Sequence, residues 1–269
     1  MIDLHGKHAV VTGGGSGIGK GISEVLARAG ASVFVADIEF ASAELTIQTL
    51  AGDGEFLCDI VDVTETSSVN RMIESAIKAF GKIDILVNNA GIIGTGKWWE
   101  RETPNDEDWS RVHEVNVRGV VRVSESIVPH MKRCKYGKIV NIASIAARQG
   151  SPDLPHYSTT KAAVVSWTQS NALQLAPFNV NVNAICPGLL WTPMWESIAR
   201  KRARFGGQTL ELGSSTGREV FEQTVEQWIP MKREQTPEDI GNLAAFLASD
   251  LSRNITGQAI NVDGGRFTN

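Results

Sequence analysis

The sequence predicts an α/β chain, a doubly wound parallel sheet of the Rossmann type with helices on both faces. Three observations carry this expectation. Short apolar, β-branched runs alternate with longer helical segments from one end to the other. Those runs are almost continuously apolar, as strands covered on both faces must be. The 269 residues suit one large domain with an ample core, its right-handed crossovers putting helices on either side.

The elements follow in order. Residues 7–12 are β-branched and apolar, a first strand, and 18–29 carry helical periodicity closed by Gly30. Residues 32–37 form a second strand, 41–50 a helix, and 55–63 contain a third strand. A helix over 67–80 stops at Gly81, and 83–87 is the fourth strand. One long helical region covers roughly 106–133, followed by a fifth strand at 138–143. Residues 156–175 are helical and 180–186 a sixth strand; 237–248 is the last helix and 259–262 the closing strand. Residues 189–235 break this rhythm, being long, rich in Gly and Arg, and placed just after a strand, which predicts a substrate lid. No repeat, low-complexity run or linker divides residues 1–269, so a single domain is expected.

Composition narrows the partners. Hydrophobic residues make up 42% and charged residues 21%, ordinary for a globular chain, and the net charge of -4 favours neither nucleic acid nor an acidic membrane. No apolar run is long enough to span a membrane, and the N-terminus enters a strand at once, which leaves no room for a signal peptide. Cys58, Cys134 and Cys186 are few, odd in number and without metal-ligand spacing, so reduced thiols in a cytoplasm and no metal are expected.

Chemistry enters at the first strand–helix junction, Thr12-Gly13-Gly14-Gly15-Ser16-Gly17-Ile18-Gly19. Glycines there let the backbone turn tightly against a pyrophosphate, while the helix N-terminus offers free N–H groups. Asp37 ends the second strand, where a carboxylate accepts from two ribose hydroxyls and repels a 2′-phosphate. Neither Ile38 nor Ser16 supplies a positive charge for that phosphate, so NAD is favoured over NADP. The alternative for Asp37 is a cap on the helix that follows.

Tyr157 and Lys161 stand one helical turn apart, so both side chains leave the same face. An ammonium beside a phenol favours the phenolate and draws its pKa toward working pH, which suits carbonyl–alcohol interconversion.

These motifs together resemble the short-chain dehydrogenase/reductase family over essentially the whole chain. The glycine motif, Asp62-Val63, Asn88-Asn89-Ala90-Gly91, Asn116, Ser144, the Tyr157–Lys161 pair, Pro187-Gly188 with Leu190 and Thr192, and Asp263-Gly264-Gly265 stand in the family's order. The resemblance implies cofactor contacts from Gly13, Ser16, Gly17, Ile18, Gly19, Asp37, Asp62, Val63, Asn89, Ala90, Gly91, Tyr157, Lys161, Pro187, Gly188, Leu190 and Thr192. It implies Tyr157 as the proton-transfer group, Ser144 bonding the substrate oxygen, Lys161 tuning Tyr157 and binding the ribose, and Asn116 holding a water. It also implies a small-molecule alcohol or ketone substrate and a homotetramer. Plainer alternatives stand beside these: Ser144 capping a turn, Asn116 bonding backbone, Asn88 tying strands together, Asp62 making local bonds.

For the substrate, Gln149, His156, Trp191 and Trp195 fall in segments expected to cover the nicotinamide. The tryptophans make an aromatic wall or pack the lid; Gln149 and His156 bond a hydroxylated substrate or sit on loop surface. Arg200, Lys201, Arg202 and Arg204 attract an anionic substrate or form a solvated helix face. Residues 192–195 and 230–239 resemble family members acting on acetoin, small diols and polyols. Reduction of a 3-oxoacyl thioester, which goes with NADPH, is the runner-up, and a dinucleotide-binding protein without turnover the third reading.

Overall fold

The structure is a computed structural model and describes residues 2–205 and 217–269. Its strands are β1 (His8–Thr12), β2 (Ser32–Asp37), β3 (Phe56–Ile60), β4 (Ile85–Asn88), β5 (Gly137–Ile142), β6 (Val180–Pro187) and β7 (Ala259–Val262). They form one sheet in the order β3-β2-β1-β4-β5-β6-β7, every pairing parallel. Strand order reverses between β1 and β4, which opens a crevice at the carboxyl ends of the strands. The helices are α1 (Gly17–Arg28), α2 (Phe40–Thr49), α3 (Thr66–Phe80), α4 (Asp106–His113), α5 (Val120–Cys134), α6 (Pro155–Leu175), α7 (Pro193–Phe205), α8 (Gly217–Trp228) and α9 (Pro237–Ala248).

Successive strand residues serve opposite faces. Val11, Val33 and Ile85 pack under α1 and α9 with Ile22, Leu26 and Ile240, while Val10, Phe34 and Leu86 pack under α3 and α5 with Met72, Ile127 and Met131. Gly241 lets α9 approach α1 closely, since a Cβ there would stand 2.6 Å from Val25 Cγ2.

Two differences from the sequence expectation bear on the site. The long 106–133 helix is not uniform: a π-helical segment, Glu114–Gly119, separates α4 from α5. The wide turn coincides with Asn116, whose side chain leaves the helix to bond the backbone of Ile92. The 189–235 stretch contains α7 and α8, which pack through Trp195, Phe221 and Val225; its residues 206–216 lie outside the described ones.

Candidate active site

A cleft of about 810 Å³ runs along the carboxyl ends of the strands and is walled by the glycine turn, the loops after β4, β5 and β6, and α7. At one end, Gly13 adopts φ +63°, and a Cβ there would stand 2.8 Å from Ala90 Cα. Only glycine permits both. Ser16 occupies the N-cap of α1 without a side-chain capping bond. The first-turn N–H groups of α1 are therefore left to an anion, with the positive end of the helix dipole behind them. Ser16, Gly17 and Ile18 line the cleft, whereas Gly19 does not. Gly19 is a support instead. A side chain there would run into the Gly13 carbonyl and into Asn89 Nδ2, which donates to the Gly13 oxygen (2.8 Å) and the Thr12 oxygen (3.1 Å).

Asp37 lies on the cleft wall. Its Oδ2 accepts from Gly15 N (2.8 Å) and its Oδ1 from Glu39 N (3.1 Å), so the carboxylate is pinned between the glycine turn and the loop after β2. The N-cap of α2 is Glu39, not Asp37. Asp62 and Val63 continue the wall. Burial works to raise the Asp62 pKa, but bonds from the Thr64 hydroxyl and N–H, with Arg111 nearby, hold it below the usual carboxylate value. Asn88 turns away from the cleft and donates to Asn141 Oδ1 (2.8 Å) and Ser124 Oγ (3.0 Å), a tie between β4, β5 and α5. Asn89, Ala90, Gly91, Pro187, Gly188, Leu190 and Thr192 all line the cleft.

Ser144, Tyr157 and Lys161 meet on its floor. Ser144 follows β5 and caps a short 3₁₀ turn, its Oγ accepting from Ala146 N at 3.1 Å. The same hydroxyl acts on the Tyr157 phenol and lowers its pKa. Tyr157 is 9% exposed and Lys161 4% exposed. Lys161 Nζ donates to the Ile142 carbonyl at 2.9 Å and stands 5.6 Å from the centre of the phenol ring. Asn116 is fully buried and does not line the cleft; Oδ1 accepts from Ile92 N and Nδ2 donates to Ile92 O, both at 2.8 Å. It thereby fixes the loop that carries Gly91, whose Cβ position would lie 3.3 Å from Asn116 Oδ1 and 3.5 Å from Lys161 Nζ.

The electrostatics correct one expectation. Within the protein's own surroundings the Tyr157 phenol is not acidified: burial pushes it up to about 12, against the pull of the Ser144 hydroxyl. Burial also draws Lys161 down to about 8. Both groups share a dry pocket, which opposes the charged form of each.

Of the residues expected at the substrate, Gln149 and Trp195 line the cleft, but His156 and Trp191 do not. His156 faces into the core of α6, 2% exposed, with Nε2 bonded to the Ile93 carbonyl at 2.7 Å and its ring against Trp109. Trp191 packs on Phe221 with the Arg218 guanidinium over it. The basic cluster divides. Arg200 and Arg204 are exposed; Lys201 is buried and donates to the carbonyls of Arg101 and Glu102; Arg202 faces the cleft. Sequence reasoning missed Trp228, Arg266 and Phe267, which also line the cleft. The positive φ values of Gly264 (62°) and Gly265 (87°) turn the C-terminal segment toward it, and that glycine pair is the signal that pointed there.

Among the described residues no helix is long and apolar enough to cross a membrane, and no three His, Cys, Asp or Glu side chains group to hold a metal. A family model described as enoyl-(acyl carrier protein) reductase matches residues 13–266. The chain is 39% identical to L-2,3-butanediol dehydrogenase of Corynebacterium glutamicum, with 98% of this chain and 99% of that protein covered. It is 34% identical to the 3-oxoacyl-(acyl-carrier-protein) reductase FabG of Thermotoga maritima, covering 97% and 98%. A solved structure of NAD⁺-bound xylitol dehydrogenase superposes with a TM-score of 0.89 at 33% identity, covering 97% of this chain and 99% of that one.

Proposed function

The chain belongs to the short-chain dehydrogenase/reductase family, and from that premise we propose an NAD-dependent enzyme that interconverts a secondary alcohol, a small diol or polyol, with its ketone. The observation that carries this reading is the meeting of Ser144, Tyr157 and Lys161 on the floor of a cleft whose wall holds Asp37. The residues present fit a dinucleotide. The Gly13 turn has no room for a side chain, and the N-cap Ser16 leaves the α1 N–H groups free of a side-chain acceptor. A bound nicotinamide supplies the hydride acceptor in oxidation and the donor in reduction.

The chain's own residues supply the rest. Asp37 would hold the adenosine ribose hydroxyls, and its fixed carboxylate disfavours a 2′-phosphate. Tyr157 takes the carbinol proton in oxidation and returns it in reduction, while Ser144 donates to the substrate oxygen and sets its orientation. The Lys161 ammonium stabilises the phenolate that forms, an effect strengthened by the same burial that raises the resting phenol. Asn116 keeps the Gly91 loop and Lys161 in register. We also take the enzyme to be a cytoplasmic homotetramer, with exposed Leu173 on α6 available to a second copy; light scattering at four chain masses supports that assembly, and one chain mass rules it out.

The names of the butanediol and xylitol relatives support a diol or polyol. The likeness to a 3-oxoacyl reductase favours the second reading, thioester reduction with NADPH. Absorbance at 340 nm with NAD and a panel of secondary alcohols and polyols separates them. NADH formed from a diol or polyol supports the first reading. Consumption of NADPH with a 3-oxoacyl thioester, and silence on the whole panel, supports the second.

A further inference from the structure

We propose that the substrate carries an anionic group, a carboxylate or a phosphate ester remote from the carbinol, and that Arg202 and Arg266 on the cleft wall receive it. The inference rests on the alcohol dehydrogenase reading above and adds the substrate's charge to it.

Arg202 is the one member of the 200–204 basic run that lines the cleft. Its guanidinium lies against two rings, 4.6 Å from the centre of Trp228 and 5.2 Å from that of Trp195. Among the described residues, one of its five N–H donors is used, on Thr224 Oγ1 at 3.1 Å. No carboxylate among the described residues pairs with it; Asp153, exposed on the cleft wall, acts on it only through space. Arg266 lies 5.1 Å from the Trp228 ring on the C-terminal segment and also lines the cleft, its side chain without a hydrogen bond to the described residues.

Two guanidiniums thus share one indole at the edge of a cleft whose floor holds the proton-transfer group. Two aromatic rings within 5.2 Å restrict Arg202 and burial costs it hydration, so less ordering remains to be done when an anion arrives. A planar fork of N–H donors that the described residues leave without acceptors matches the two oxygens of a carboxylate or phosphate. A staple between α7 and α8 alone needs one cation against the rings; it does not need a second on a separate segment lining the same cleft. Lys201, next in the run, shows what a structural cation looks like here: its donors go to two carbonyls.

The test uses matched pairs with NAD at 340 nm, 1,3-butanediol against 3-hydroxybutanoate and glycerol against glycerol 3-phosphate, the first arm reading carboxylate and the second phosphate. The full-length protein should prefer the charged member of one pair by tenfold or more in kcat/KM. Arg202→Gln should cut that ratio at least tenfold, and Arg202→Lys should recover part of it. Arg266→Gln, at the rim, keeps the result readable if the first variant loosens α7 from α8. Quenching of tryptophan fluorescence by the same anions on the NAD-loaded protein, lost in Arg202→Gln, supports the site without turnover. Equal or weaker turnover of both anions, together with unchanged fluorescence, overturns it. A preference that survives the double variant does the same. No NADH from any compound, 2,3-butanediol and xylitol included, defeats the dehydrogenase reading instead and leaves the anion site to the fluorescence arm.

Discussion

Tyr157 is a phenol that its burial holds protonated, pushed up to about 12, so its use as a base depends on positive charge brought close to it. Tyr157→Phe should lower kcat by about 10²–10⁴-fold, the usual worth of a positioned acid–base group, with NAD affinity within a few-fold by fluorescence titration. The pH dependence follows from the signs. Oxidation needs the phenolate, so kcat/KM rises with pH, and the Lys161 charge moves that limb downward. Burial draws Lys161 itself to about 8, so its help is greatest below that pH and fades above it. Profiles of the wild type and Lys161→Met should lie furthest apart below about pH 8 and converge above; a constant gap across the range contradicts a charge-based role. Asp37 is bonded to Gly15 N and faces the cleft. Asp37→Arg should raise the NADP-to-NAD ratio of kcat/KM by about tenfold or more, the scale of one charge-assisted bond gained and one lost. At this scale the sequence was most legible where chemistry is local, in the glycine turn and the one-turn spacing of Tyr157 and Lys161. His156 was not legible, because whether a first-turn residue of α6 meets the cleft or Trp109 depends on how α4 packs beside it.

Among the elements, the glycine turn and the first turn of α1 act as one piece. Gly19 sits under that turn, where a methyl group would strike the Gly13 carbonyl and displace Asn89. Gly19→Ala improves helix propensity by up to about 1 kcal/mol, yet it should weaken NAD binding by about tenfold or more because the turn must open. Calorimetric titration with NAD reads the loss, and unchanged affinity would show that the turn does not cradle the dinucleotide. Strands and most helices were readable from apolar runs and breakers such as Gly30 and Gly81, because their pattern is written within each segment. The π-helical segment was not. It coincides with the bonds of Asn116 to the Ile92 backbone, a partner 24 residues away that no local window contains. Arg202 is similar: a run of basic residues reads as a solvated face, and only the placement of Trp195 and Trp228 makes one of them inward.

For the molecule as a whole, the strand-order reversal between β1 and β4 decides where everything gathers. It puts the glycine turn, the β2 carboxylate, the serine after β5 and the α6 pair along the carboxyl ends of one sheet. That convergence was predictable from the alternation of elements, since a doubly wound sheet opens its crevice at such a reversal. The substrate end was less so, because the described parts of 189–235 pack through side chains such as Trp195, Phe221 and Val225 rather than by sheet register. The most direct test of the central claim is a crystal structure of the protein with NAD. The account predicts the pyrophosphate on the Gly13–Gly19 turn, the adenosine ribose on Asp37, and the Tyr157 hydroxyl facing the nicotinamide with Lys161 on its ribose. A dinucleotide seated elsewhere, or a Tyr157 hydroxyl turned from the ring, would contradict it.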